Sequence, residues 1–405
     1  MKKKILLVTH TLELGGVERS FISLLDQFDL ERYDVDVFVY KHGGELGDQL
    51  PSNINLLPEI PAYALLLQPI STAVRTGNWG IVYAKIISRI KSKLYHLTHK
   101  SDPDKQDSVI HPRLYKEAMP FLPEISDAKY DAVLAFLHPN FFERNKVIAN
   151  KYIAWIHTDY SRLNIDRKLE LRMWKSYNHI AGVSDATVQA FAEVFPELKE
   201  KLTVVENVLS ENFVRKQSLD FYVSEEMLKQ NDELILLSIG RFSYPKNFDS
   251  IPEVAYHLAQ MGVRFRWYII GYGTDEALIR QKIRVFRAEE YVVILGKKKN
   301  PYPYIRACDF YIQPSRYEGK AVTVREAQML GKAVIITDFP SAESQIRNGI
   351  DGVIVPGADN LKLAHALYKA ICDHDTVALI QENIVLTDYS NKSEVETIYS
   401  LIEGE

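Results

Sequence analysis

Cysteine is nearly missing from this chain. Cys308 and Cys372 are the only two among 405 residues, too few for a disulfide framework and not spaced for a zinc site. Both are read as small apolar residues in a reducing compartment. Long hydrophobic runs are missing as well. The start, Lys2-Lys3-Lys4 followed by Ile5-Leu6-Leu7-Val8, opens like a signal peptide, but the run ends at Thr9-His10 without a small-residue cleavage site. It reads as a buried first strand. No apolar stretch reaches the length needed to cross a bilayer, so a cytoplasmic protein, or one attached to a membrane from that side, is expected. Neither sign of charge dominates: Lys+Arg 49 against Asp+Glu 53 leaves a net charge of -4, which argues against a nucleic-acid partner. What is present is the composition of a globular protein, 46% hydrophobic and 25% charged, in a chain long enough for two or three domains.

Short β-rich apolar runs alternate with helical patterns, as in βαβ units with parallel sheets. Strands are expected at Ile5–Val8, Val35–Val39, Ala132–Leu137, Tyr152–Ile156, Ile180–Val183 and Thr203–Glu206. A polar stretch over 210–232 breaks the series. A second set follows at Leu234–Ile239, Arg266–Ile270, Val292–Leu295, Phe310–Gln313, Ala333–Thr337 and Val353–Val355, with helices near 249–261, 275–288, 322–330 and 359–372. The runs are continuous rather than alternating, which fits sheets covered on both faces. The fold class is therefore α/β, with domains at 1–210 and 211–385 and a C-terminal helix at 386–405 as a candidate to pack back on the first. Ligands of such sheets sit at the carboxyl ends of the strands, so the cleft between the halves is the expected site. Residues 60–125 fit less well. There Lys85, Arg89, Lys91, Lys93 and Lys100 accompany Ile86, Ile87, Ile90, Leu94 and Leu97 at helical spacing, making 85–100 a candidate for peripheral membrane contact or an ordinary solvated helix.

The densest chemistry lies in Gln313-Pro314-Ser315-Arg316-Tyr317-Glu318-Gly319-Lys320-Ala321, between a strand and a helix carrying Glu326. A helix start offers unpaired N–H groups and a positive dipole end to an anion, and Gly319 allows close backbone approach. Glu318 and Glu326 are carboxylates suited to vicinal hydroxyls, one on a sugar and one on a ribose. The loop Gly240-Arg241-Phe242-Ser243-Tyr244-Pro245-Lys246 follows another strand, and its fork and point charge suit phosphate oxygens. Gly15-Gly16 follows the first strand without the spacing of a dinucleotide site, which counts against a nicotinamide cofactor. His157 ends a strand and is a candidate to hold a sugar hydroxyl or position an acceptor, with a structural role equally open; His138 has a similar place and a weaker case. Gly271, Gly273 and Lys297 follow two further strands and are candidates to bind the donor, the glycines from under the nucleotide and the lysine from a loop facing the cleft. Each has a plain alternative, a tight turn for the glycines and a solvated loop for the lysine.

In these residues the chain resembles the retaining glycosyltransferases of family four, of GT-B fold: two Rossmann-like domains facing across a cleft. The resemblance rests on Gly15-Gly16-Val17-Glu18, His157, Arg241…Lys246, Glu318…Glu326 and Gly331, and is strongest from about 234 to 356. It implies that Arg241 and Lys246 hold the donor diphosphate, assisted by Gly16. It implies further that Glu326 binds the ribose, and that Glu318 with the amides of Gly319, Lys320 and Ala321 binds the donor sugar. The family often has glycine where this chain has Ala321. No metal and no cofactor are expected, the nucleotide-diphosphate sugar being itself the substrate.

The reaction expected on this resemblance moves a hexosyl or N-acetylhexosaminyl group, with a UDP-sugar favoured, to a glycan or lipid-linked glycan acceptor. Bacterial surface polysaccharide or glycoconjugate synthesis is the expected setting. A nucleotide-sugar epimerase or hydrolase on the same fold and a non-catalytic sugar-binding module are the alternatives. An oxidoreductase fits least, for want of a dinucleotide fingerprint.

Overall fold

The computed structural model of the protein describes residues 2–13, 15–137, 140–229 and 232–404, so His138 lies outside the described residues. The chain divides into two compact units. The first is Met1–Val208 with Lys392–Glu405, and the second is Leu209–Asn391.

The first unit carries a parallel seven-stranded sheet in the order Asn55–Leu56, Tyr33–Val39, Lys3–Thr9, Lys129–Ala135, Ile148–Ile156, His179–Gly182, Leu202–Val204. The opening run explains why the sheet is covered on both faces. Ile5 and Leu7 enter one hydrophobic cluster, while Leu6 and Val8 enter another. Successive side chains point to opposite faces, so a strand buried all round reads as an unbroken apolar run.

The stretch 60–125, which lacked a strand-helix reading, forms four helices at Pro61–Leu66, Ile70–Arg75, Trp79–Thr98 and Ile110–Ala118. The third starts upstream of the expected 85–100 segment, because Asn78 caps it by accepting from the Ile81 amide at 3.3 Å. Lys85 is also not on its outer face. Its ammonium turns inward and donates to the carbonyls of Leu66 and Gln68 at 2.9 Å and 2.8 Å.

The second unit has a parallel six-stranded sheet in the order Val292–Gly296, Phe265–Ile270, Leu234–Ile239, Phe310–Gln313, Ala333–Thr337, Val353–Val355. The order reverses between Leu234–Ile239 and Phe310–Gln313, which are neighbours although far apart in sequence. At such a switch point the loops leaving two adjacent strands diverge and open a crevice at their carboxyl ends. Those two loops are Gly240–Asn247 and Pro314–Lys320. Residues 210–232, polar in sequence, are part of this unit rather than a bare linker. Ser210 caps the helix Glu211–Gln217, and the widely spaced Val214, Val223 and Met227 are buried in its core.

The last helix, Glu394–Glu403, belongs to the first unit's core through Val395, Ile398, Tyr399 and Ile402. Tyr399 stacks on Tyr33 with ring centroids 4.6 Å apart and accepts from the Asp29 amide at 2.6 Å. Arg32 sits beside both rings, 4.8 Å from the Tyr399 centroid and 5.5 Å from that of Tyr33. Tyr399→Ala deletes a nearly fully buried ring, and a loss of roughly 3 kcal/mol is expected from cavity formation. Urea unfolding followed by a signal from the first unit measures it; an unchanged midpoint would show that the returning helix is only loosely attached.

Candidate functional site

The two loops at the switch point are joined by charge. Lys246 Nζ donates to Glu318 Oε1 at 2.5 Å, and Ser315 Oγ donates to the same oxygen at 2.6 Å. Gln313 Nε2 adds a longer contact to it at 3.3 Å, while Tyr311 OH holds the other end of that amide at 2.7 Å. All of these bonds fall on Oε1, which leaves Glu318 Oε2 without a bond partner among the described residues. Arg241, from the same loop as Lys246, is exposed, and its side chain has no partner among the described residues. The structure therefore brings Lys246 and Glu318 into contact and sets an unpaired guanidinium on the same strand-end loop.

Arg316, which carried no separate role in the motif reading, clips the loops together. Its backbone amide donates to the Pro245 carbonyl at 2.8 Å and its guanidinium to the Tyr244 carbonyl at 2.6 Å. The guanidinium lies over the Tyr244 ring at 4.3 Å and grips Asp249 through both terminal nitrogens, at 2.9 Å and 3.1 Å. Lys282 pairs with the same carboxylate at 3.0 Å. Burial alone would push Asp249 up, but the two cations outweigh it and hold its pKa below the ordinary value. A motif scan misses this because Asp249 sits 67 positions from Arg316.

The helix after the second loop runs Val322–Met329, and no side chain caps its start. The Ala321 amide, expected to face a sugar, instead donates to Gln345 Oε1 at 2.7 Å, while Gln345 Nε2 returns a bond to the Ala321 carbonyl. That N–H is already satisfied and Ala321 is buried, so it is reachable only if Gln345 moves. Lys320 is buried beside it. Ser341 Oγ donates to the Glu318 carbonyl at 3.0 Å and fixes the turn into Gly319. Glu326 lies on the helix, buried, and its Oε1 accepts from Tyr302 OH at 2.9 Å. Tyr302 was not singled out, since a tyrosine two elements away leaves no local signature.

Gly271 and Gly273 have a packing reason to be glycine. A Cβ on Gly271 would lie 1.9 Å from the Gly240 carbonyl oxygen, and one on Gly273 would lie 2.2 Å from that of Phe242. The two loops meet through Phe242 N to Tyr272 O at 2.8 Å and Asp275 N to Phe242 O at 3.1 Å. The glycines thus seat the Arg241 loop. Lys297 places its ammonium 4.5 Å from the Tyr272 ring centroid, and Lys298 pairs with Glu226, so this lysine run is tied rather than freely solvated.

In the first unit, Gly15 and Gly16 begin the helix Gly16–Gln27, with the Glu18 carboxylate folded against Gly15. His157 bonds through Nε2 to the Phe136 carbonyl at 2.7 Å, which makes Nε2 the protonated nitrogen and ties the ring to a neighbouring strand end. The sequence reading passed over a cavity of about 380 Å³ in this unit, lined by His10, Lys85, His111, Tyr115, Tyr160 and Glu170 among others. Burial pushes the Glu170 carboxyl up to about 7, although Tyr160 OH donates to it at 2.9 Å. Burial likewise lowers Lys85 and His111 from their ordinary values, with neighbouring cations adding to the effect. Polar groups that resist ionisation and line a chamber are suited to hydrogen-bond a neutral polyol. Among the described residues no group of three or more His, Cys, Asp or Glu side chains is arranged to hold a metal ion.

Residues 223–387, nearly all of the second unit, match the family Glycosyl transferases group 1. The match to the group 1 glycosyl transferases is thus carried by the second unit. Both charged loops and the glutamate pair fall within the matched span. The putative glycosyltransferase EpsF of Bacillus subtilis is 33% identical over 107 residues, 26% of this chain and 28% of that protein. The chain thus spans little more than a quarter of that relative. A Campylobacter jejuni enzyme, named as an N-acetylgalactosaminyltransferase acting on a diphospho-undecaprenol-linked sugar, is 23% identical over 62% of this chain and 67% of its own. Among solved structures, Anabaena Alr3699/HepE in complex with UDP and glucose superposes with a TM-score of 0.67 at 14% identity, covering 100% of both chains. That likeness gives the fold, GT-B, with its two Rossmann-like units.

Two outcomes test the geometry of the loops and the cavity. Arg316→Ala removes the clip between the loops, and charge-assisted bonds of this kind contribute enough that amide exchange over 241–247 is expected to rise about tenfold. Unchanged exchange would mean that the sheet alone fixes the loops. The second concerns pH. Between the ordinary carboxylate range and about 7, folded Glu170 keeps a proton that the unfolded chain releases, so stability falls as pH rises through that window. The slope is at most roughly 1.4 kcal/mol per pH unit. Glu170→Gln abolishes that share, while Glu143, also pushed up to about 7 by burial, retains its own. Thermal melts of both proteins at about pH 5 and about pH 7 read the difference.

Proposed function

We propose that the protein transfers a sugar from a nucleotide-diphosphate donor to a glycan or lipid-linked glycan acceptor, with retention at the anomeric carbon and without a metal ion. The observation that carries this reading is the pairing of the Lys246 ammonium with the Glu318 carboxylate beside the unpaired Arg241, all at the switch point of the sheet. Breaking the anomeric C–O bond places positive charge on the sugar and further negative charge on the departing diphosphate. Fixed cations at that diphosphate stabilise the transition state more than the ground state, and Arg241 with Lys246 supplies them.

The ion pair adds a step to this reading. Lys246 is held by Glu318. A diphosphate competes for that ammonium with more than one negative charge, and as the ammonium leaves, the Glu318 carboxylate is freed to accept from a donor-sugar hydroxyl. Donor binding thereby arms the carboxylate. Glu326 is placed for the ribose hydroxyls with Tyr302 as its partner, so the ribose must share or displace that bond. Attack from the leaving-group face needs no protein nucleophile, consistent with retention. The cavity of the first unit, with His10, Tyr160 and Glu170, is assigned to the acceptor.

UDP is the favoured base because HepE is described with UDP and glucose. A hexosyl or N-acetylhexosaminyl group is the favoured cargo, and a lipid-linked acceptor is supported by the Campylobacter relative's name. Synthesis of bacterial surface polysaccharide or glycoconjugate at the cytoplasmic membrane face follows from the same reading. A thermal-shift screen of nucleotide-sugars identifies the donor, since a ligand that binds only the folded chain raises its melting temperature. With that donor, Arg241→Ala and Lys246→Ala are each expected to cut turnover by about a hundredfold or more, the scale of removing one oxyanion-hole donor, while melting normally. Near wild-type turnover in either variant sinks the assignment. Rapid release of free sugar with no acceptor added would favour a hydrolase instead.

A further inference from the structure

From Lys85 onward the helix Trp79–Thr98 is turned inside out. Its first turns bury Ile81, Val82 and Ala84, but the buried face then carries Lys85, Ser88 and Ser92, polar residues in the interior of the first unit. Its solvent face carries Trp79, Tyr83, Ile86, Ile90, Leu94 and Leu97, all exposed, from 45% for Ile86 to 81% for Leu97. At 3.6 residues per turn these six lie within about 40° of a line through Ile90, so they form one stripe rather than scattered apolar residues. Phe121, also exposed, extends the stripe beside Tyr83 with ring centroids 5.9 Å apart, and Gly80 leaves room for it.

Charge says what covers this stripe. Arg89 and Lys93 are exposed along one edge, Lys100 is exposed just past the helix end, and Lys91 lies on the other edge, paired with Glu117 at 2.7 Å. From Trp79 to Ser101 there is no aspartate or glutamate. The nearest acids along the chain, Asp102, Asp104 and Asp107, come after the helix, and Asp107 is paired with His96 at 3.2 Å. No helix among the described residues is long and apolar enough to cross a membrane. An apolar stripe with aromatic residues at one end and cations along its edges is the pattern of a helix that lies in the headgroup layer of an anionic bilayer.

We infer that this outer face of Trp79–Thr98 docks the first unit on an anionic lipid bilayer, with Trp79, Ile90 and Leu94 entering the acyl boundary and Lys93 and Lys100 on the headgroups. The inference deepens the reading of a lipid-linked acceptor, yet it stands on a surface distinct from the donor loops. It also moves the contact from the expected 85–100 segment to a face that begins at Trp79 and leaves out Lys85.

Trp79 makes the test direct. The other three tryptophans, Trp155, Trp174 and Trp267, are buried, so solvent-accessible tryptophan emission reports Trp79. With vesicles of phosphatidylcholine and phosphatidylglycerol, emission should shift to the blue, lose acrylamide quenching and gain quenching by brominated acyl chains. Pure phosphatidylcholine should bind far less. Ile90→Glu with Leu94→Glu should abolish flotation with vesicles, and Lys93→Ala with Lys100→Ala should weaken it by roughly fivefold for each cation removed. The UDP-induced thermal shift, read without lipid, should stay at the wild-type value in both variants, so failure of the donor reading is seen separately. Trp79 fully open to acrylamide at saturating anionic lipid would overturn the inference. So would self-association of the wild type, abolished by the double glutamate variant, in a chain that does not float with vesicles.

Discussion

The charged loops of the second unit depend on one pairing of opposite charge: a lysine and a glutamate from two loops, pressed together at the place where the sheet reverses. Such a pair is poor at stabilising a fold. Both side chains are largely withdrawn from water, and the desolvation of two charges cancels most of their attraction. Its value lies in leaving a cation and a carboxylate in position before any ligand arrives. Ser315 and Gln313 keep the carboxylate from swinging with its partner, because they hold Oε1 whether or not Lys246 does. The arrangement is therefore asymmetric: the lysine is free to change partners and the glutamate stays.

Rigidity for that exchange comes from groups that never touch a ligand. Arg316 ties one loop to the other through backbone carbonyls and through Asp249, a carboxylate kept ionised by two cations against the penalty of burial. Gly271 and Gly273 let a third loop pass within contact of the Gly240 and Phe242 carbonyls, where any Cβ would collide. Three strand-end loops are thus fastened by main-chain contacts, while Arg241 projects from the middle one. A long cationic side chain on a fixed backbone loses less freedom on meeting a phosphate than one on a mobile loop.

Much of this was legible because the sheet writes itself into the sequence. Strands buried on both faces are unbroken runs, and Leu234–Ile239, Phe310–Gln313, Ala333–Thr337 and Val353–Val355 coincide with the expected bounds. The charged motifs then fell at strand ends, where chemistry is expected. What escaped depends on long-range pairing. Asp249 with Arg316, Gln345 with the Ala321 amide and Tyr302 with Glu326 join residues separated by 67, 24 and 24 positions, and no periodicity marks such pairs. The 60–125 region failed for a different reason. Beyond its first turns its main helix hides polar residues and exposes apolar ones, so an amphipathic pattern located the helix but said nothing about which side faces the protein.

That inversion follows from the space behind the helix. The same turns that place Lys85 and Ser88 inward make them a wall of the 380 Å³ cavity, where hydrogen-bonding groups are needed and a leucine would remove them. Lys85 is held there by two carbonyls instead of by a counter-ion, a weaker environment for an ammonium, and burial lowers its affinity for the proton accordingly. An apolar outer face is what remains once the polar positions are committed inward. The cavity chemistry and the surface chemistry are therefore two consequences of one helical register.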